Sequence, residues 1–256
     1  MGVDDLINSG VIWIPTKLTF VNYERAVEVL QMPKSLFDST VYVLKSAVIV
    51  TASSAVIGYG FARYDFPLKR LLFVLMLVTF ILPQQVTMAA SIITYRNLGL
   101  MSSKNAMYIP ALLGQGLNQA IFILIFYQFF RSIPKVLIES AEIDGASQFR
   151  IFFGINLPLA IPSIIVVFLF AFVFYWNDTL ITSLFTGGQT TLPIRLTNFE
   201  AQYYALFPPG TPGAEMNEAI MLAGSVLAIF PLLILYFLGQ RHFTESIDRT
   251  GITGEW

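Results

Sequence analysis

Cysteine is absent from the 256 residues, histidine occurs once (His242), and charge is scarce. The first absence excludes disulfides, thiolate metal sites and cysteine nucleophiles, and it leaves the redox compartment open. A lone histidine near the chain end reads as a surface residue rather than a ligand or base. Only 12% of the residues are charged, about half the share usual in a soluble domain. The net charge is −1, so the chain lacks the basic face that nucleic acid would require. A leader pattern is missing too, since Met1 is followed by Asp4 and Asp5 rather than by lysines and an early apolar core. No Gly-x-x-x-x-Gly-Lys-Ser/Thr loop occurs, so the chain does not bind ATP by that route.

What is present is apolar: 55% of the side chains are hydrophobic and the mean hydropathy is +0.69. About 20 apolar residues cross a bilayer as a helix. Five runs meet that measure: Val41 to Phe61, Leu71 to Thr94, Ala106 to Phe130, Ile151 to Trp176 and Ala219 to Gly239. Backbone groups in lipid must be satisfied within the segment, so each run is expected to form a helix. Barrel strands would be half as long and would alternate in polarity. The fold expected is an all-α, polytopic transmembrane bundle with five spans.

Charge orients the spans. Arg63, Lys69 and Arg70 lie between the first two runs, Arg131, Lys135 and Arg150 between the third and fourth, and Arg241 and Arg249 after the fifth. Positive clusters favour the cytoplasm, which puts the C-terminus there and, with five spans, residues 1–40 outside. The simplest way to place a polar N-terminal segment outside is a further helix upstream of Met1. Residues 1–40 are therefore read as an extracytoplasmic segment following a missing first span. Residues 41–240 are the transmembrane domain, with a cytoplasmic loop at 131–158, and 241–256 are a cytoplasmic tail. Residues 185–218, rich in glycine and proline, read as an ordered turn-rich outer loop, serving either as a docking surface or as a connector.

The loop RSIPKVLIESAEIDGASQFRIFFGINLPLAIPS is the most informative stretch. Pro134 suits a helix start. Leu137, Ile138 and Ala141 share one helical face, with Glu139, Glu142 and Asp144 elsewhere around it. Gly145 suits a helix end or a close backbone approach. Phe149, Phe152 and Phe153 are expected on the cytoplasmic surface, and Pro158 and Pro162 mark breaks before the fourth run. On physics alone, a partner-binding lever and a helix lying on the membrane surface both fit.

Glu139, Ala141, Gly145, Ile155, Leu157 and Pro158 resemble the signature loop of binding-protein-dependent ABC transporter permeases: Glu-Ala-Ala, three residues, Gly, nine residues, Ile, one residue, Leu-Pro. Every spacing agrees, and Ser140 replaces the second alanine, a small residue expected to keep close packing. Phe20, Asn22 and Tyr23, the stretch from Tyr59 to Arg70, Trp176-Asn177, Thr191 to Leu196 and Arg241 to Gly254 resemble the carbohydrate-importer, maltose-permease-like branch. The resemblance implies a subunit, usually of six spans, without a catalytic site or cofactor of its own, in a bacterial or archaeal cell membrane. Its partners would be a homologous second permease, two cytoplasmic ATPase subunits that hold ATP and magnesium, and an extracytoplasmic solute-binding protein. Glu139, Ser140, Ala141, Asp144, Gly145 and Pro158 would form the ATPase-coupling loop.

Polar residues within apolar runs are expected to line the path of a sugar, oligosaccharide or related solute: Gln84, Gln85, Asn118, Gln119, Tyr175, Trp176 and Asn177. Hydrogen bonding between helices is the competing role for each, and Trp176 equally suits an interfacial belt. Lys45 is expected to snorkel from its span's end. An ion-coupled secondary transporter is the alternative, but it would carry buried acids, and only Asp178 stands near a span. An ABC permease for a non-carbohydrate solute also remains open, and a membrane enzyme has little chemistry available.

Overall fold

A computed structural model describes residues 19–188, 191–211 and 214–250, with side chains through Gln240. Among them all regular structure is helical. Two helices are long and apolar enough to cross a membrane, Met32–Arg63 and Glu218–Gln240. The number rises to five if each of three bent helix pairs counts as one span.

Three of the apolar runs are not single straight helices. The second is divided into α3 (Lys69–Ile81) and α4 (Gln84–Asn97), bent by 109°. Leu82 precedes Pro83, whose ring pushes the preceding residue out of the α region, and Leu82 is extended at φ −70°, ψ 126°. The same chemistry ends α6 (Gln119–Ser132). Ile133, before Pro134, has φ −68°, ψ 126°, and α7 (Lys135–Ile143) departs at 70°. The third run starts as α5 (Asn105–Leu112) and is interrupted before α6, with Gly114 at φ +84° and Asn118 at φ +50°. The fourth run bends by 73° between α8 (Gln148–Leu159) and α9 (Ile161–Asn177). Residues Phe152–Asn156 of α8 form a π-helical turn. Pro158 has no N–H for Gly154 and crowds that carbonyl in a regular α-helix, and widening the preceding turn relieves the crowding.

Two compact units are present. One comprises residues 1–41 and 189–235. Here α1 (Val21–Val29) and α2 (Met32–Arg63) meet at Gln31, a corner at φ +47°. Gln31 Oε1 accepts a hydrogen bond from Arg195 Nη2 at 3.0 Å. The expected turn-rich loop contains two helices, α11 (Leu192–Thr197) and α12 (Phe199–Leu206). Thr191 caps the first, and Phe199 and Tyr203 are buried. Arg25 Nη1 donates to Tyr203 Oη at 3.0 Å and the guanidinium lies over the Phe207 ring.

The other unit comprises residues 42–188 and 236–256. Gly58 of α2 lets α6 approach closely, since a Cβ there would lie 2.7 Å from Phe126 Cβ. Lys45 is exposed in the interior of α2, which starts well before the apolar run, rather than at a helix end. The last helix, α13 (Glu218–Thr250), carries the backbone past Gln240. The side chains of the Arg241 to Gly254 stretch lie outside the described residues.

Candidate functional site

Two of the helix breaks, at Leu82–Pro83 and at Leu113–Asn118, border one cavity of about 240 Å³. Irregular backbone at membrane depth is tolerated where it is buried or lines a wet cavity. The second break is held by Gln119, which is 1% exposed. Its Nε2 lies 2.7 Å from Ser53 Oγ, 3.3 Å from Ser54 Oγ and 2.9 Å from the Ala111 carbonyl. Its Oε1 accepts from Gly116 N at 2.6 Å. Leu117 N donates to Tyr175 Oη at 3.2 Å. A Cβ at Gly116 would lie 2.7 Å from Gln119 Oε1 and 2.8 Å from Tyr175 Oη, so a side chain there would displace the groups that hold the break. Backbone donors freed by the break are thereby satisfied inside the protein.

Held this way, the break presents Gln115 and Asn118, both exposed, to the cavity. The facing wall comes from α4: Gln84, Thr87, Ser91 and Tyr95 all line the space and fall at helical spacing. Gln84 and Asn118 line this space, whereas Gln85 is exposed and is not among its lining residues. Tyr175 and Gln119 line it but are buried and engaged in holding its wall. Trp176 is 2% exposed and stacked on Phe172 with ring centroids 5.8 Å apart, a core residue rather than an interfacial one. Asn177 bonds back to the Val173 carbonyl at 3.0 Å. Thr87, Ser91 and Tyr95 were missed by sequence reasoning. Their stripe through α4, starting at the proline break, is the signal that reveals them. Among the described residues, none that lines the cavity carries a charge.

Asp178 is not a free carboxylate. It caps α10 (Leu180–Thr186), accepting from Ile181 N at 3.3 Å, Thr182 N at 2.7 Å and Thr182 Oγ1 at 2.7 Å.

The second assembly is the loop at 131–158. Helix α7 buries none of its residues against the rest of the chain. Gly145, at φ +80°, closes it: Ala146 N donates to the Ala141 carbonyl at 2.9 Å and Gly145 N to that of Glu142 at 3.0 Å. This is a Schellman cap. A Cβ on Gly145 would meet nothing within 4 Å, so its backbone conformation, not a close approach, calls for glycine. Glu139 and Asp144 are exposed, and Ser140 bonds to the Val136 carbonyl of its own helix without packing inside the chain. Ile143 is 86% exposed and Phe149 78%, and Phe153 is also exposed. Phe152 departs from the expected surface cluster: it is 9% exposed, 4.7 Å from the Tyr59 ring. Its place in the π-helical turn aims it inward. Pro158 is exposed beyond that turn.

Broken apolar helices around an uncharged cavity, with a separate unburied helix on the connecting loop, define a multi-pass membrane transport subunit. Residues 54–249 match the family described as binding-protein-dependent transport system inner membrane component, and the chain belongs to that family. The arabinooligosaccharides transport system permease protein AraQ of Halalkalibacterium halodurans is 30% identical over 98% of this chain and 86% of its own length. The diacetylchitobiose uptake system permease protein NgcG of Streptomyces coelicolor is 28% identical, covering 95% and 77%. The crystal structure of a bacterial ABC transporter that imports the acidic polysaccharide alginate contains a chain of the same fold. It has a TM-score of 0.67 at 19% identity and covers 90% of this chain and 81% of that one. The protein is a permease subunit of an ABC importer and a multi-pass inner-membrane component.

Proposed function

We propose that this subunit forms half of the path for a neutral, hydroxyl-rich solute, a sugar or oligosaccharide, and drives no chemistry of its own. The cavity carries the reading. Amides at Gln84, Gln115 and Asn118 and hydroxyls at Thr87 and Ser91 offer both donors and acceptors, and Tyr95 offers an aromatic face. A sugar needs both kinds of surface and no counter-charge. The names of the relatives point the same way, arabinooligosaccharides for one and diacetylchitobiose for another.

In this reading a homologous second permease supplies the other half of the path. Two ATPase subunits, binding ATP and magnesium, dock on the exposed face around Glu139, Ser140, Ala141, Asp144, Gly145 and Pro158. A solute-binding protein delivers the cargo at the outer face. Residues 1–40 stand outside and 241–256 inside. ATPase closure biases a two-state equilibrium between inward- and outward-facing forms through α7. The complex, reconstituted in proteoliposomes with its binding protein, is expected to hydrolyse ATP faster when neutral oligosaccharides are supplied. Stimulation by uronic-acid oligosaccharides alone would defeat the assignment of a neutral solute.

A further inference from the structure

The end of α2 is fastened to the coupling segment on both sides of α7. Before α7, Arg63 Nη2 donates to the Ile133 carbonyl at 3.1 Å. Gln148, the first residue of α8, makes a bridge to the last turn of α7. Its Nε2 donates to Glu142 Oε1 at 2.7 Å, and its Oε1 accepts from Tyr64 Oη at 3.1 Å. Beyond α7, Asn156 Nδ2 donates to Tyr59 Oη at 3.4 Å, and the Phe152 ring lies against Tyr59. The bridge requires the chemistry of an amide. A carboxylate accepts at one end and a phenol donates at the other, so the side chain between them must donate and accept at once. Glutamate has no donor when ionised, and lysine has no acceptor.

The same helix reaches the residues that hold the cavity wall. Ser53 lies about 15 Å along α2 from Arg63, at 1.5 Å per residue. It receives the hydrogen bond from Gln119, the residue that holds the second helix break. Ser53 Oγ also donates to the Ala111 carbonyl at 2.8 Å, on the near side of that break. One rigid rod is thus pinned to the coupling segment at one end and to the cavity wall at the other.

We propose that Gln148, with Arg63, is a positioning residue that makes α7 and α2 move as one body, so that displacement of α7 reaches the Ser53–Gln119 contact and reshapes the cavity. The proposal rests on the importer reading. Coupling here runs through an element that both sites grip, which is the physical form such a route requires.

The test uses the whole complex, isolated with its ATPase, second permease and binding protein and placed in proteoliposomes. Gln148→Leu keeps side-chain volume and removes both ends of the bridge. Uptake per ATP hydrolysed is expected to fall about threefold or more, with ATP hydrolysis and subunit composition retained. The absence of native cysteine permits a second measurement in which Gln148 stays intact. Spin labels at Asp65→Cys and Lys135→Cys are expected to keep one separation in the ATP-free and ATP-bound states. A separation that changes with ATP, or wild-type uptake per ATP in Gln148→Leu, overturns the proposal while leaving the importer reading intact. Wild-type uptake that does not depend on ATP overturns both. If Gln148→Leu fails to assemble, the label separation decides.

Discussion

Gln119 and Asn118 are neighbours in sequence with opposite tasks. Gln119 is turned inward and makes contacts with Ser53, Ser54, Ala111 and Gly116, whereas Asn118 is exposed at the cavity in a left-handed conformation. The two are expected to fail differently when altered. Gln119→Leu strands buried groups, each costing about 1–3 kcal/mol when unsatisfied, and should lower the thermal unfolding midpoint of the detergent-solubilised subunit. Asn118→Gly keeps the left-handed backbone, because glycine takes φ > 0 freely, and removes only the amide side chain. That variant should unfold no lower than wild type yet raise the solute concentration for half-maximal uptake. If the two effects are exchanged, Gln119 rather than Asn118 is the residue that meets solute. Sequence alone could not separate them, because both are polar residues in an apolar run, and only the backbone break decides which way each points.

Among the elements, α7 depends on Gly145 at its end. An L-residue at φ +80° is strained by about 1–2 kcal/mol, and an acidic one also sets negative charge beside the helix C-terminus, where it is unfavourable. Gly145→Asp is therefore expected to leave membrane insertion intact and to uncouple ATP hydrolysis from transport in the reconstituted complex. Normal uptake by that variant would argue against a coupling role for α7. The glycine and both flanking prolines are visible in sequence, and the helix they bracket was legible from them. The other breaks rest on similar signals, Pro83 in the second run and Gly114 with Gly116 in the third, yet they were read as continuous spans. Apolar composition is the same on either side of a break, so hydropathy does not register it.

For the whole molecule, α3 and α4 bury no residues within this chain, although α3 is strongly apolar. In the assembly proposed above, such faces are the ones left for lipid and a second permease to cover. A partner that binds only the folded form stabilises it by mass action. The subunit co-purified with the second permease and the ATPases is therefore expected to unfold several degrees higher in detergent than the same subunit alone. Equal midpoints would mean that the subunit's fold does not draw on its partners.

The sequence by itself determined that this chain lives in a bilayer, that it is all-helical, and that residues 131–158 carry a short capped helix with the spacing of an importer permease. These follow from local rules: apolar length, proline and glycine geometry, and positive charge beside spans. Tertiary structure decided what no local rule contains. It turned Trp176 and Phe152 inward, made Asp178 a cap, separated Gln119 from Asn118, and set the α4 stripe across a cavity from the Leu113–Asn118 break. Each of these depends on which distant residue stands opposite. Ser53 meets Gln119 and Tyr59 meets Asn156 only after the chain has folded, so their partnership is a property of packing and not of any one segment.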